Sequence, residues 1–563
     1  MRAVLTVQTF FMKRLTSFLF VLVSTFSLYA QTVYQVGPTR TYTVPSQVIP
    51  LLNNGDIVEI DAGTYPGDVG VWTADNITIK GIGGMAHIPA NGNNAQGKAI
   101  WVIQGDNYTL EYIELSDCAV PDNNGAGIRH EGDNLTLRYC YFHDNENGIL
   151  TISNNPDSEV LIEYSEFARN FHDGGFAHNI YINRIKKFTL RYSYFHGVQI
   201  ANNVKTRAAE NHILYNRIMD ESTNASYQID FSNGGKVYLV GNLIQQGPNA
   251  TNFSVIAYAK EGATYSDNEL NMYNNTIVNE RGNGYFLNSS SSNASTNIFN
   301  NFLVGAVTGL STGPITINSS DNLHIPNPNN AELQDIDNYN YRLTDSSPAI
   351  DAGLNPASQS VTIIPTQQYV HTANTEPRPS DGPWDMGAYE YAVCPDSLLL
   401  TGTLTEDIYT AAQHIETSGT VLISNGARKS FTAGEDILFR PGFAVENGAT
   451  FLAKISPCNS GDAAKMNKLP SFVSSPLKET DNYDLTFFPN PSFGHTQFQL
   501  GVNTFDYYEI KLIDIMGRTQ LTVLPLTPLS KGTYKYDWNW DTTTNGLYFV
   551  VVNDQIRGKL WVQ

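Results

Sequence analysis

The sequence predicts an all-β chain dominated by a right-handed parallel β-helix, followed by a small β module and a C-terminal β-sandwich. Three observations carry that reading. A short apolar/polar alternation recurs as "NITIKGI", "YTLEYIELSDC", "LTLRYCYFHDN", "VLIEYSEFARN", "FTLRYSYFHG", "HILYNRIMDE", "VYLVGNLIQQ", "LNMYNNTIVN" and "NIFNNFLVG". Anchored at Ile79, Leu110, Leu137, Ile162, Leu190, Leu214, Leu239, Met272 and Phe299, it returns every ~27 residues, inside the range that marks a solenoid. Between copies lies a second alternating run, such as "HNIYINR", "NNVKTRA" and "YQIDFSN", and Asn and Gly collect at the joins. Alternation at period two is strand periodicity, and the joins need residues that tolerate a left-handed backbone. Two or three short strands per coil stack into a parallel β-helix, whereas a helical solenoid would need apolar stripes at helix period.

Composition agrees. At 563 residues the chain is too long for one ordinary domain. Only 16% of residues are charged, while Asn, Ser, Thr, Gly and Tyr abound, which suits short strands joined by turns. A formal charge of -20 argues against a nucleic-acid partner, which needs a basic face. It leaves room for an acidic substrate met by a local basic patch.

The elements follow in order. Residues 1–30 read as a signal peptide: Lys13 and Arg14 precede the apolar run "LTSFLFVLVSTFSLYA", with cleavage after Ala30. Residues 31–392 form the β-helix with an N-terminal and a C-terminal cap, its stack running from about 76 to 317. Residues 393–459 form the small β module, 460–482 a polar linker, and 483–563 the terminal sandwich. No later segment is apolar enough to span a bilayer. Cys118 and Cys140 are expected as buried small residues, with pairing left open. Cys394 and Cys458 bracket the small module, and their pairing is also open. A monomer is expected.

Several segments resemble known families. "VYQVGPTRTYTVPSQVIPLLNNGDIVEIDAGTYPGDV" resembles the opening of secreted, pectate-lyase-like β-helix proteins, in which a short helix caps the core. "YRLTDSSPAIDAG" and "EPRPSDGPWDMGAYEY" resemble the closing segment of the same class, so Asp351, Asp385 and Glu390 are read as cap residues. The segment ending "ILFRPGFAVENGATFLAKI" resembles a small β module of Bacteroidota surface proteins, read as a structural spacer, with a glycan contact as the alternative. The C-terminus resembles the type A sorting domain of the type IX secretion system. Its marks are Pro489-Asn490-Pro491, the turn from Asp514 to Gly517-Arg518, and Gly546-Leu547-Tyr548. That resemblance implies the secretion machinery as a partner, and export across an outer membrane, with the protein then released or surface-attached.

Chemistry is sought on outward positions of stacked strands, because inward ones fill the core. Aligning the second strands at Ile128, Ile180, Val204 and Ile229 makes Arg129, Tyr181, Lys205 and Asp230 outward, and two residues on, Glu131, Asn183, Arg207 and Ser232. Tyr181, Lys205, Arg207 and Asp230 then share one face over three consecutive coils. His178 and His196 are placed at flanking turns and Glu261 one coil further. Removing a proton α to a carboxylate needs a cation for the enolate-like intermediate, a base, and an acid for the leaving oxygen. Arg207 is assigned to the carboxylate, Lys205 to the base if neighbouring cations lower its pKa, and Tyr181 or His178 to the acid. Arg129, Asp230, His196 and Glu261 are assigned to substrate binding. "IANNVKTRAAENHILYNRI" is similar to the lysine-bearing coil of chondroitinase B and related alginate lyases, which implies Lys205 as the base. The next coil, "QIDFSNGG", lacks the arginine those enzymes place there, so Arg207 would substitute.

The function expected is a polysaccharide lyase acting on an acidic, uronate-containing glycan by β-elimination. The alternative is a non-catalytic, adhesin-like surface protein that binds glycan. Third come a uronate epimerase, which shares the proton abstraction, and a glycoside hydrolase, for which no clean carboxylate pair is visible. A calcium cofactor is left open.

Overall fold

Each solenoid coil lays down three short strands, and equivalent strands of successive coils pair in parallel and in register. The computed structural model describes residues 31–455 except 153–154, 173, 175–176, 380–381, 392–394, 396 and 405–407, and then the strands between 483 and 562. The first ladder runs through Thr78–Pro89, Tyr108–Glu111, Leu135–Arg138, Glu159–Glu163, Lys187–Arg191, Glu210–Leu214, Lys236–Val240, Glu269–Tyr273 and Ser295–Phe299. The second shares Thr78–Pro89 and continues from Ile113–Ser116 to Leu323–Ile325. The third is a ten-stranded sheet from Gly70–Trp72 to Gly309–Thr312. Alternate residues of all three faces meet in one core that includes Ile79, Trp101, Ile128, Ile180, Phe195, Ile229 and Leu303. Each such large apolar side chain contributes roughly 1.5–3 kcal/mol by leaving water.

Register corrects two repeat anchors. The stack runs Leu190, Ile213, Leu239, Met272, Ile298, so Leu214 and Phe299 are not the equivalent positions. Both copies carry adjacent apolar residues, and apolar patterning alone does not choose between neighbours. Leu214 and Phe299 turn outward into a smaller cluster with Tyr215, Tyr238 and Tyr273.

The corner between the first and second ladders sets the coil. Its leading residue is left-handed: Tyr112, Tyr139, Tyr164, Tyr192 and Tyr215 at φ 50–56°, then Gly241, Asn274 and Asn300. Tyrosine there, rather than the Asn or Gly expected, carries a steric cost. The five rings stack on one another at centroid spacings of 5.0–5.8 Å, which offsets it. The next residue points inward and builds a polar ladder. Ser193 N–H donates to Asn216 Oδ1 (3.0 Å), Asn216 N–H to Asn242 (2.9 Å), Asn242 N–H to Asn275 (3.0 Å), and Asn275 N–H to Asn301 (3.2 Å). A second ladder at the entry to the third sheet joins Asn145, Asn170, Asn179, Asn203 and Gln228.

At the N-terminus, two 3-10 turns, Pro45–Gln47 and Ile49–Leu51, bring Val48 and Ile49 against the core. The closing segment sits on the flank. Its Ala331, Tyr341, Leu343, Ala349, Tyr369 and Ala388 pack against outward Tyr194, Met219, Leu243, Val278, Phe302 and Val304 of the second ladder. Ala388 N–H donates to Thr276 Oγ1 and Tyr273 Oη–H to Ile363 O. Its carboxylates serve its own fold: Asp385 accepts the Asp351 and Tyr391 N–H groups, and Glu390 pairs with buried Arg378. Cys118 and Cys140 are buried free thiols, pushed by burial up to about 12.

The strands between Ser397–Gly402 and Thr450–Ile455 form a second parallel stack of shorter period. Ile408 pairs Ser430, Val421 pairs Phe443 and Arg428 pairs Thr450, each 22 residues on. Its core holds Leu400, Ile415, Val421, Ile423 and Phe431. The chain divides into two compact units, and the second is an antiparallel sandwich. Its three-stranded and four-stranded sheets share Phe498, Leu500, Ile510, Leu512, Val550 and Leu560. Residues 546–548 begin the strand Gly546–Val552. The signal segment, the linker, Cys394, Cys458, Pro489-Asn490-Pro491 and the 514–518 turn lie outside the described residues.

Asn242 tests the polar ladder. It donates to Ile213 O and Asn275 Oδ1 and accepts from Asn216, so Asn242→Leu orphans buried backbone groups. Unfolding in denaturant should show a loss on the order of 3 kcal/mol, and an unchanged midpoint would mean that stacking alone holds the coils.

Candidate functional site

The site forms on the outward face of the third sheet, where three consecutive strands change their side chains. Ile180–Ile182, Val204–Thr206 and Ile229–Phe231 pair so that Tyr181 faces Lys205 and Lys205 faces Asp230. Neighbouring coils bring these side chains about 4.8 Å apart. The residues before each strand, Asn179, Asn203 and Gln228, are rungs of the second polar ladder, so the site stands on a hydrogen-bonded floor. A cavity of about 340 Å³ opens here, lined by Asn124, Arg129, Leu150, Thr151, Ile152, His178, Tyr181, Asn183, Lys205 and Arg207.

The column contains a residue that the alignment omitted. Leu150 stands between Arg129 and Tyr181, because the strand Asn147–Thr151 supplies an intervening coil. Arg129 is therefore two coils from Tyr181, yet it lines the same cavity. Its Nε is buried without a hydrogen-bond partner among the described residues, and burial lowers its pKa against the pull of Glu131 at 3.9 Å and of Asp122. "NGILTIS" carries the strand signal, and aligning it at Ile149 would have placed Leu150 and brought in Thr151.

Arg207 is the hub. Its Nε donates to Tyr181 Oη at 2.7 Å and NH1 to Asn233 Oδ1 at 3.0 Å, and its guanidinium lies 5.7 Å from the Tyr181 ring centroid. Tyr265 Oη–H donates to its backbone carbonyl. Glu261, just beyond the next strand of the sheet, reaches back with both oxygens. One oxygen pairs with Arg207, and the other lies 2.7 Å from Lys205 Nζ. Burial opposes charge on both Arg207 and Glu261, but Tyr181 and then Glu261 hold Arg207 above its usual value, and Lys205 and then Arg207 hold Glu261 below its own. Lys205 also lies 3.6 Å from buried Asp230. The cations expected to flank Lys205 are thus not its nearest charges; two carboxylates are.

Asp230 accepts from Ser232 Oγ at 2.9 Å through Oδ2, while Oδ1 is buried without a hydrogen-bond partner among the described residues. Burial raises its pKa, with Lys205 and Ser232 opposing. His178 is buried at the cavity wall, where Nδ1 accepts the Asn202 N–H at 3.2 Å. In the neutral ring this leaves Nε2 as the protonated nitrogen. Burial, assisted by Lys205, lowers its pKa to about 3. His196 does not join the site. It ends the strand Tyr194–His196 of the second ladder, stacks on Tyr194 at 4.1 Å, and lies 3.0 Å from Glu166 and 3.6 Å from Glu221. It belongs to a strand rather than a turn, and that strand faces another side of the coil.

The arrangement places three cations around one cavity with a phenol, an imidazole and two amides, and the carboxylates nearest it are held by the cations. Such a site suits an anion that presents hydroxyls. Residues 65–244 match the family model of the right handed beta helix region, which agrees with the coil architecture. Among solved structures, the PL6 family alginate lyase AlyGC aligns over 72% of this chain and 69% of its own, at 12% identity and a TM-score of 0.24. A mutant of AlyGC aligns over 73% and 70%, at 13% identity and a TM-score of 0.27. Alignments at that level bear no weight on activity. No curated protein matches the chain.

His178 has a pH signature. An unfolded histidine titrates near 6.5, so from there down to about 3 the unfolded chain binds a proton that the folded one does not. This contribution is present above pH 6.5 and is lost as pH falls below it. The imidazole resonances of His178, assigned with His178→Gln, should stay unshifted between pH 8 and 5; a midpoint near 6.5 would place the ring in water.

Proposed function

We propose that this is an exported, carbohydrate-active β-helix protein that cleaves an acidic, uronate-containing polysaccharide by β-elimination. The observation that carries the reading is the convergence of Arg129, Lys205 and Arg207 on one cavity beside the Tyr181 hydroxyl. A uronate carboxylate would replace Glu261 on Arg207, whose fork can grip both oxygens. There the arginine meets the charge that builds as the C5 proton leaves. Lys205, in its neutral amine form once released from Glu261, takes that proton on its free lone pair. The electrons form the C4–C5 double bond, and the C4–O bond breaks. Tyr181 accepts from Arg207 Nε, so its own proton is free to go to the leaving oxygen. His178 offers Nε2–H as a further donor at the wall.

A binding-only role is the second reading, favoured by one observation: Lys205 already sits between Glu261 and Asp230. A C5-epimerase would use the same first step and return the proton to the other face. The terminal sandwich is proposed to route the chain through type IX secretion, leaving it outside the cell or on its surface.

Purified protein incubated with a panel of acidic polysaccharides should raise the ultraviolet absorbance of the unsaturated uronate product on at least one. No rise on any, with binding seen by calorimetry, would favour the binding-only role; inversion at C5 seen by NMR would favour the epimerase. Lys205→Ala should cut kcat at least ~100-fold, the usual scale for a lost acid–base group. Full activity in that variant would remove Lys205 from the mechanism.

Glu261→Gln should lower KM severalfold, because the neutral amide competes less well for Lys205 and Arg207. A raised KM would show instead that Glu261 contacts the sugar.

A further inference from the structure

A different face of the coil carries a second constellation that the groove does not use. His87, Glu114 and His143 come from three successive strands of the second ladder. His87 pairs directly with Glu114, and His143 lies one coil further, in the neighbouring outward column opposite Ser116. One ligand atom from each lies within 4.8 Å of the other two. The Nε2 atoms of both imidazoles lie near the same carboxylate oxygen, Glu114 Oε1, that of His143 within hydrogen-bond distance at 3.1 Å and that of His87 at 3.6 Å. The three side chains are half-buried, shielded by their neighbours yet open to solvent.

We propose that His87, Glu114 and His143 form a binding site for a divalent transition-metal ion of the zinc class. Two imidazoles and one carboxylate make a donor set for a borderline ion and leave a coordination position open. The surroundings orient the ligands. His143 Nδ1 is 2.6 Å from Asp144, which Arg169 holds with Nε at 2.8 Å and NH2 at 2.6 Å. Tyr141 stacks on the same ring at 4.2 Å. A carboxylate on the far nitrogen is the arrangement that fixes a metal-binding imidazole. Ser116 Oγ donates to Asp117 and stands 2.9 Å from His87 Nε2, so an ion bound to that nitrogen would take the place of this hydrogen bond.

The molecule contains its own control. "YFH" occurs again at 194–196, where His196 meets Glu166 of the preceding coil just as His143 meets Glu114. There the residue that pairs Glu166, as His87 pairs Glu114, is Tyr141 rather than a histidine, Glu221 lies 3.6 Å from the other ring nitrogen of His196, and the closing segment covers that stretch of the ladder. Glu–His pairing is therefore part of the repeat, whereas the second histidine, with access to solvent, is particular to the 87–143 coils. An ion held here would tie three coils together.

Calorimetric titration of the full chain with Zn²⁺ tests this. The intact protein should bind one equivalent more than His87→Gln and than His143→Gln, and the ion should raise the unfolding temperature of the intact protein only. X-ray absorption of the one-to-one complex should show two imidazole nitrogens and a carboxylate oxygen. Lys205→Ala, on the other face, should bind zinc as the intact protein does. Equal stoichiometry in the intact protein and in both folded glutamine variants would overturn the site, as would a zinc shell without imidazole. Glu114→Gln provides a third variant should a histidine substitution fail to fold.

Discussion

The whole solenoid depends on holding successive coils in exact parallel register, and the buried side-chain ladders at the corners enforce it. A turn left inside a packed stack strands backbone N–H and C=O groups that water cannot reach. Asn answers this because one side chain offers a donor and an acceptor together. Asn216, Asn242, Asn275 and Asn301 each take the N–H of the coil before and return an amide hydrogen to a carbonyl. Slippage by one residue would break every rung and turn the apolar faces outward. Register in turn makes outward columns meaningful: a residue's neighbours are set by coil number, not by distance along the chain.

Columns also carry like charges into close contact, and the molecule deals with this differently on its faces. The first ladder alternates sign, Glu59, Lys80, Glu111, Arg138, Glu163, Arg191, so each charge meets its opposite one coil away. That is a self-neutralised surface, in which Glu163 is buried between Arg138 and Arg191. The third face breaks the pattern. Arg129, Leu150, Tyr181, Lys205 and Asp230 do not alternate, and a second cation, Arg207, stands two residues along from Lys205. Neutralisation there comes from Asp230 and from Glu261, which reaches back from beyond the strand after Asp230. The contrast between the two faces sets the groove apart from ordinary surface.

Much of the fold was legible because period-two alternation and a returning motif are properties of the chain itself. The stacking of Tyr181, Lys205 and Asp230 follows from alternation once the coil spacing is known. The misplaced anchors at Leu214 and Phe299 arose where two apolar residues adjoin. The omission of Leu150 arose where coil lengths vary. His196 was misassigned because nothing in "YSYFHG" tells a third strand from a turn. The closing segment lies on the flank because outward Met219, Leu243, Val278 and Phe302 need cover, and those residues look in sequence like part of the core repeat.

The sequence by itself determined the coil, the alternation of inward and outward residues, and so which side chains share a column. It could do so because strand periodicity and corner chemistry act over a few residues. Tertiary structure alone decided what meets across columns and loops. It placed Glu261 on Lys205 and Arg207, Arg207 on the Tyr181 hydroxyl, and His143 across a column against Glu114. Those contacts depend on loop length and side-chain reach, and local pattern constrains neither.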